Sequence, residues 1–212
     1  MVRVLGLNPG PLSRSYPRIF TRFIPCNSGP KTLQGTNTYL VGTGSSRILI
    51  DSGEGKEGYL NSLVSAMVQT GAQSISAILI THWHSDHTGG VPALLQHFGK
   101  DIPVWQYPFP LDAKDEDAEV VKSNRSDNKI PYSPRPITDA MKFATDGASL
   151  VALHTPGHTA DHVAFLLEEE KAVFSGDCVL GQGTTLFADL YTYMASLEKL
   201  RSLDPTLMFV HA

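Results

Sequence analysis

Ala77-Ile78-Leu79-Ile80 followed by Thr81-His82-Trp83-His84-Ser85-Asp86-His87 is the stretch that decides the fold. Four consecutive apolar residues suit a strand buried on both faces, as in a layered α/β protein. The chain then switches to three imidazoles and a carboxylate, more titratable groups than a packed core accepts without partners. At a strand end, the alternate side chains His82 and His84 converge on one point, while Asp86 and His87 reach a second point nearby. Imidazole nitrogen suits zinc and other borderline first-row metals, and carboxylate oxygen completes such sites. Gly89-Gly90 then allow a tight backbone before the next helix.

Two further segments repeat this arrangement. His154-Thr155-Pro156-Gly157-His158-Thr159-Ala160-Asp161-His162 follows the apolar run Leu150–Leu153, and Ser175-Gly176-Asp177-Cys178 follows Ala172–Phe174. Each places a metal-ligating residue type at the C-terminal end of a strand, the edge where α/β folds gather their sites. Outward from these, Thr38–Val41, Arg47–Ile50, Val163–Leu167 and Leu207–Val210 read as strands. Tyr59 to Val68 and Val91 to Phe98 carry apolar residues at helical spacing, with Gly71 as a stop for the first. Asp189 caps a third helix whose apolar stripe is Leu190, Tyr193, Met194, Leu197 and Leu200. Residues 108–140 are polar and proline-bearing, which predicts a long surface excursion. Strands in two groups with intervening helices make a layered α/β domain.

Composition sets the outer limits. The chain has 212 residues, 42% hydrophobic and 18% charged, with 17 Lys and Arg against 21 Asp and Glu. That suits one folded domain and excludes intrinsic disorder. No apolar run approaches the roughly 20 residues of a spanning helix. A formal charge of -4 argues against a basic nucleic-acid footprint over the whole surface. Two cysteines, Cys26 and Cys178, cannot form a disulfide framework, so a reducing, intracellular compartment is expected, cytoplasm or mitochondrial matrix. The first 50 residues lack Asp and Glu and contain Arg3, Arg14, Arg18 and Arg22, as a mitochondrial transit peptide does. Prolines 9, 11, 17, 25 and 30 make that segment a poor amphipathic helix. Lys122, Arg125 and Lys129 face an anionic substrate only against the local acids Asp112, Asp115, Glu116, Asp117 and Glu119, so a solvated face is expected there.

The order H-x-H-x-D-H (82–87), TPGHT (155–159) and SGD (175–177) resembles the metallo-β-lactamase superfamily over nearly the whole chain. TLQGTNTYLVGTG (32–44) and FSGDCVLGQGTTLF (174–187) further resemble the β-lactamase-like 2 group, which includes endoribonucleases acting on single-stranded RNA. Polyketide thioesterases and glyoxalase II hydrolases share much of the pattern, including LIDSGEGK (49–56). The resemblance implies one αββα domain over residues 1–212, two mixed sheets flanked by helices. It implies a zinc-dependent hydrolase with His82, His84 and His158 on the first zinc, Asp86 and His87 on the second, and Asp177 bridging. In such a site a water between two cations ionises near neutral pH and attacks a carbonyl carbon or phosphorus. Asp86 then orients the water and takes part in proton transfer. His154 is expected to be structural, His162 a hydrogen-bond partner rather than a ligand, and His97 an exposed or satisfied helix residue. Trp83 is expected to pack and Cys178 to be a small buried residue.

Two departures from the family pattern shape the remaining expectations. Leu12–Lys31 separates Asn8-Pro9-Gly10-Pro11 from Thr32 without a family counterpart and reads as an insertion forming a surface loop. The family's last ligand is a histidine in a YPGHG-like turn. Here that position falls on Ala212, with His211 one residue early and on the opposite face of an extended chain. The expectation is a domain incomplete at its C-terminal end, with one metal held well and a second held weakly. Three readings follow: an endoribonuclease-like zinc hydrolase, an acyl thioesterase or hydroxyacylglutathione hydrolase-like enzyme, and a truncated metal-binding form with little or no turnover.

Overall fold

The computed structural model describes residues 3–4, 19–23, 36–110, 132–181, 183–203 and 208–210. In chain order the elements are β1 (Arg3–Val4), β2 (Phe20–Phe23), β3 (Thr38–Val41), β4 (Ser46–Ile50), α1 (Tyr59–Thr70), β5 (Ser74–Leu79), α2 (Ser85–Thr88), α3 (Val91–Phe98), β6 (Val104–Gln106) and β7 (Arg135–Pro136). They continue with β8 (Lys142–Thr145), β9 (Ala148–His154), β10 (Val163–Leu167), β11 (Ala172–Phe174), a 3-10 turn (Gly176–Cys178), α4 (Leu190–Leu203) and β12 (Met208–Val210). Two six-stranded sheets result, ordered β1-β12-β11-β10-β9-β8 and β2-β3-β4-β5-β6-β7. Both are mixed, with β4, β5, β6 and β7 parallel and β8 through β11 antiparallel.

The layering follows from strand alternation. Successive side chains point to opposite faces, so an apolar residue at every position must be covered on both. Tyr39, Val41, Ile48, Ile50, Ala77 and Leu79 face inward and meet Leu150, Ala152, Val163, Phe165, Leu167, Ala172 and Phe174 of the other sheet. The intervening Leu40, Leu49, Ile78 and Ile80 face outward under Leu63 and Met67 of α1 and Val91 and Leu94 of α3. Val151, Leu153, Ala164 and Val173 face outward under Leu200 of α4. All four layers of the expected αββα sandwich are therefore present among the described residues. Each fully buried Leu, Ile or Phe contributes about 1.5–3 kcal/mol relative to exposure.

Gly71 ends α1 with φ of 73°, its N–H returning to the helix carbonyls, as the sequence predicts. Structure adds detail to two expected surface segments and displaces one helix stripe. Within Leu12–Lys31, the described residues Phe20–Phe23 are strand rather than loop: β2 pairs antiparallel with Thr38–Val41 and lays Phe20 edge-on to Phe174, ring centroids 5.1 Å apart. The described ends of the 108–140 excursion are anchored: Phe109 and Ile137 are buried, and Arg135-Pro136 form an edge strand. Proline belongs on such an edge, where its missing N–H costs no ladder bond. The inner stripe of α4 is also displaced, since Leu190 and Met194 are exposed while Ser196 and Leu200 are buried. Residues 111–131, Cys26, His211 and Ala212 lie outside the described residues, as do the basic and acidic residues expected on the excursion. No described helix is long and apolar enough to cross a membrane.

Candidate metal centre

The site forms where strand ends from both sheets meet. The N–H of Asp51, just past β4, donates to the Leu79 carbonyl at 2.8 Å, and that of Val163 crosses the sandwich to the Thr81 carbonyl at 2.8 Å. These bonds bring the loop after β5, the loop before β10 and the turn after β11 to one edge. His87 lies on the short α2, whose position is set by Ser52: its N–H and hydroxyl both donate to the His87 carbonyl, at 2.9 and 2.8 Å. Gly90 permits this approach, because a Cβ there would collide with the Ser52 carbonyl.

Three ring nitrogens converge at the first point. His82 Nε2 lies 2.9 Å from His84 Nδ1, which lies 3.1 Å from His158 Nε2. Ligands about 2.0–2.1 Å from a tetrahedral ion sit roughly 3.3 Å from one another, so the spacing fits one cation. At the second point, donor atoms of His82, His87 and Asp177 lie within 4.8 Å of one another. Asp86 Oδ2 adjoins that group, 3.4 Å from His87 Nε2. Asp177 faces both points, 3.3 Å from His87 Nε2 and 3.5 Å from His158 Nε2. The structure thus brings all six residues singled out by sequence to one place.

The neighbours fix which nitrogen of each imidazole is free. Asp51 accepts from His87 Nδ1 at 2.8 Å and from the Thr81 hydroxyl at 2.9 Å. That hydroxyl, donating to Asp51, in turn accepts a hydrogen bond from His82 Nδ1 at 3.0 Å. The Leu186 carbonyl accepts from His158 Nδ1 at 2.7 Å. His82, His87 and His158 are therefore each left with Nε2 toward the site, the arrangement by which outer partners orient metal-ligating histidines. The buried His87 Nε2 has no hydrogen-bond partner among the described residues. An orphaned imidazole nitrogen beside two carboxylates fits a cation, and the residues present match such a group.

The electrostatics agree with that placement. Burial, with the neighbouring imidazoles, pushes His82 well below the usual histidine range and His84 down to about 4, keeping both neutral. Burial opposes charge on His87, but the carboxylates of Asp177 and Asp51 outweigh it and raise its pKa. Burial likewise works against the Asp86 carboxylate; the neighbouring His87 imidazole and the hydrogen bond from Thr36 overcome it and hold the group ionised. The Thr36 hydroxyl donates to Asp86 Oδ2 at 2.7 Å.

The other histidines separate cleanly. His154 is half-buried, bonds the Ala160 carbonyl at 3.0 Å and stacks on Tyr107 with centroids 3.9 Å apart. His162 is buried, with Nδ1 2.9 Å from the Thr155 hydroxyl, and joins neither donor group. His97 is exposed. Trp83 packs between His84 and Phe109, and Cys178 is buried with its thiol pushed up to about 12 by burial and Asp177. Sequence reasoning missed Asp51, Thr36 and the Leu186 carbonyl. For Asp51 a sequence signal existed: it follows an apolar strand, as Thr81 does.

Comparison with known proteins gives a consistent result. The sequence profile of the metallo-β-lactamase superfamily matches residues 32–212. A β-lactamase-like protein 2 homolog of Caenorhabditis elegans is 44% identical over 192 residues, 89% of this chain and 59% of that protein. An atrochrysone carboxyl ACP thioesterase of Aspergillus fumigatus is 41% identical over 210 residues, 96% of this chain and 43% of that protein. The chain thus spans about half the length of the curated relatives it matches. Among solved structures, TTHA1623 in a di-iron-bound form aligns with a TM-score of 0.65 and 34% identity, covering 90% of this chain and 91% of that one. With the profile spanning most of its length and its donor groups set at one edge of an αββα sandwich, the chain belongs to the metallo-β-lactamase superfamily.

Proposed function

We propose that this metallo-β-lactamase-superfamily hydrolase holds two first-row metal ions, zinc as the expected pair, and cleaves phosphodiester bonds in single-stranded RNA. His82, His84 and His158 hold one ion; Asp86 and His87 hold the other, and Asp177 lies between them. The observation that carries the reading is the pair of adjoining donor groups that share His82 and are faced by Asp177. Adjacent cations suit displacement at phosphorus because they supply Lewis acidity to both the attacking and the leaving oxygen and acidify a water near neutral pH. The chain's own contribution is orientation and proton handling. Asp51 and the Leu186 carbonyl fix the imidazole tautomers, and the Asp86 carboxylate, held ionised and aimed by Thr36, is the group placed to take and return a proton. The resemblance to the β-lactamase-like 2 group supports RNA. The di-iron form of the similar TTHA1623 makes iron the competing metal.

A second reading, an acyl thioester as substrate, has its own supporting observation. Leu186 is 80% exposed, Tyr191 84% and Phe187 48%. This apolar surface adjoins the carbonyl that holds His158, and it suits an acyl chain as well as it suits stacked bases. Relatives named as atrochrysone carboxyl ACP thioesterases point the same way.

The test offers metal-loaded protein single-stranded RNA and an acyl thioester in parallel, with metal content measured on the same sample. RNA cleavage that stops with a chelator and returns with zinc is the expected result. Thioester turnover with intact RNA transfers the assignment to the second reading. Failure on both substrates by protein carrying both ions overturns both.

A further inference from the structure

The ligands contributed by the second sheet edge are held by side chains, whereas His158 and Asp177 sit on turns that, among the described residues, are held through backbone carbonyls. What braces those loops is α4. Its residues Tyr193, Ser196 and Lys199 are three apart, so they form one stripe along the helix. The Tyr193 hydroxyl donates to the Cys178 carbonyl at 3.0 Å, one residue past Asp177. The Ser196 hydroxyl donates to the Pro156 carbonyl at 2.7 Å, two residues before His158. Lys199 Nζ donates to the His154 carbonyl at 3.0 Å and to both Asp139 oxygens at 2.9 and 3.0 Å, while Asp139 accepts the His154 N–H at 2.7 Å. At the head of the helix, the N–H of Ala188 donates to the Gly157 carbonyl at 2.7 Å. Gly157, at φ of 133°, lies so close that a Cβ would meet the Tyr193 backbone.

We propose that α4 is a clamp that sets the spacing between the His158 and Asp177 loops, with Tyr193 and Ser196 as positioning residues for the metal centre. The inference rests on the metal-binding reading but not on the identity of the substrate. It explains why a buried serine sits where an apolar residue would otherwise complete the helix stripe: a hydroxyl is needed to meet a carbonyl at a loop that bears a ligand. The clamp acts on geometry, since neither hydroxyl touches a ligand side chain. Loss of a partner bonded directly to a ligating side chain typically costs about 10–100-fold in affinity, and bracing one step removed is expected at the lower end of that range.

The experiment compares the wild-type chain with Tyr193→Phe, Ser196→Ala and the double variant, using Glu198→Gln on the exposed side of the same helix as the control. Metal affinity is read by competition with a chromophoric chelator, ligand geometry by the visible spectrum of the cobalt-loaded protein, and folding by the melting temperature without metal. Each single variant is expected to bind roughly tenfold more weakly, with a shifted cobalt spectrum and a nearly unchanged metal-free melting temperature. The double variant should lose more than either. Wild-type affinity and spectra in both single variants overturn the clamp. So does a loss of affinity that merely follows a fall in metal-free stability. Wild-type protein that takes up no metal overturns instead the metal-centre reading on which the clamp depends.

Discussion

The two halves of the metal centre are built in different ways. On the side of β4 and β5, Asp51, Thr81, His82 and His87 form a buried chain of side-chain hydrogen bonds in which each group fixes the next. On the side of β9 and β11, His158 and Asp177 are partly exposed and depend on backbone carbonyls and on contacts from α4. A buried polar network is rigid when every member is satisfied and costly when one is removed. Loops tied through carbonyls have fewer buried contacts and belong to the less stable end of a structure. The first half therefore works as the fixed frame, and the second half as the part whose position can be tuned.

The most severe way to break that contrast is His82→Ala. His82 is the proposed ligand of the first ion through Nε2, its one free nitrogen, and its ring also borders the second donor group. Metal analysis after gel filtration should find the first ion lost and the second held more weakly, an effect beyond the roughly 10–100-fold cost of losing an outer partner. Retention of two ions at wild-type level would show that His82 is not a ligand. A smaller but more selective change is Asp51→Asn. Asparagine tolerates the left-handed backbone at this position, so the fold should survive. The amide is a weaker acceptor for the His87 and Thr81 donors, and affinity should fall about 10–100-fold. An Asp51→Asn protein that binds metal like the wild type would mean that the frame is set by packing rather than by this carboxylate.

The same contrast explains what the sequence revealed. His82, His84, Asp86 and His87 crowd into a few residues, and a density of titratable groups after an apolar strand is visible without any tertiary information. His158 and Asp177 were legible for the same reason, each following an apolar strand. Asp51 was harder to isolate, because one acid after Leu49-Ile50 looks like ordinary strand termination. Thr36 and the α4 stripe were not legible, since a threonine, a serine or a lysine acquires its role only through a partner 40 or more residues away, as Ser196 does with Pro156. Fold errors had a similar cause. Phe20–Phe23 is a strand because Thr38–Val41 pairs with it, and β-structure depends on neighbours more than on intrinsic preference. The stripe on α4 was misplaced because an apolar count cannot see a serine buried against a carbonyl.

The smallest effect is expected at Asp86, the group proposed to handle the proton. The side chain of Asp86 is 24% exposed and partly within reach of water, and its direction is set by the Thr36 hydroxyl at 2.7 Å. Thr36→Val keeps the shape and removes the donor. The carboxylate then loses one charge-assisted bond, which water partly replaces, so the cost should be about 1 kcal/mol, or roughly fivefold in kcat. His87 still holds the carboxylate in its ionised form, so metal content and melting temperature should stay close to wild type. Thr36→Ser restores the hydroxyl and should restore kcat. Because the contact orients the group proposed to handle the proton and no substrate is bound by it, KM should move little. An equal loss in the Val and Ser variants would trace the effect to packing around β3. A Val variant with full kcat would show that Asp86 needs no aiming from this side, and that the fixed half of the site extends to the carboxylate itself.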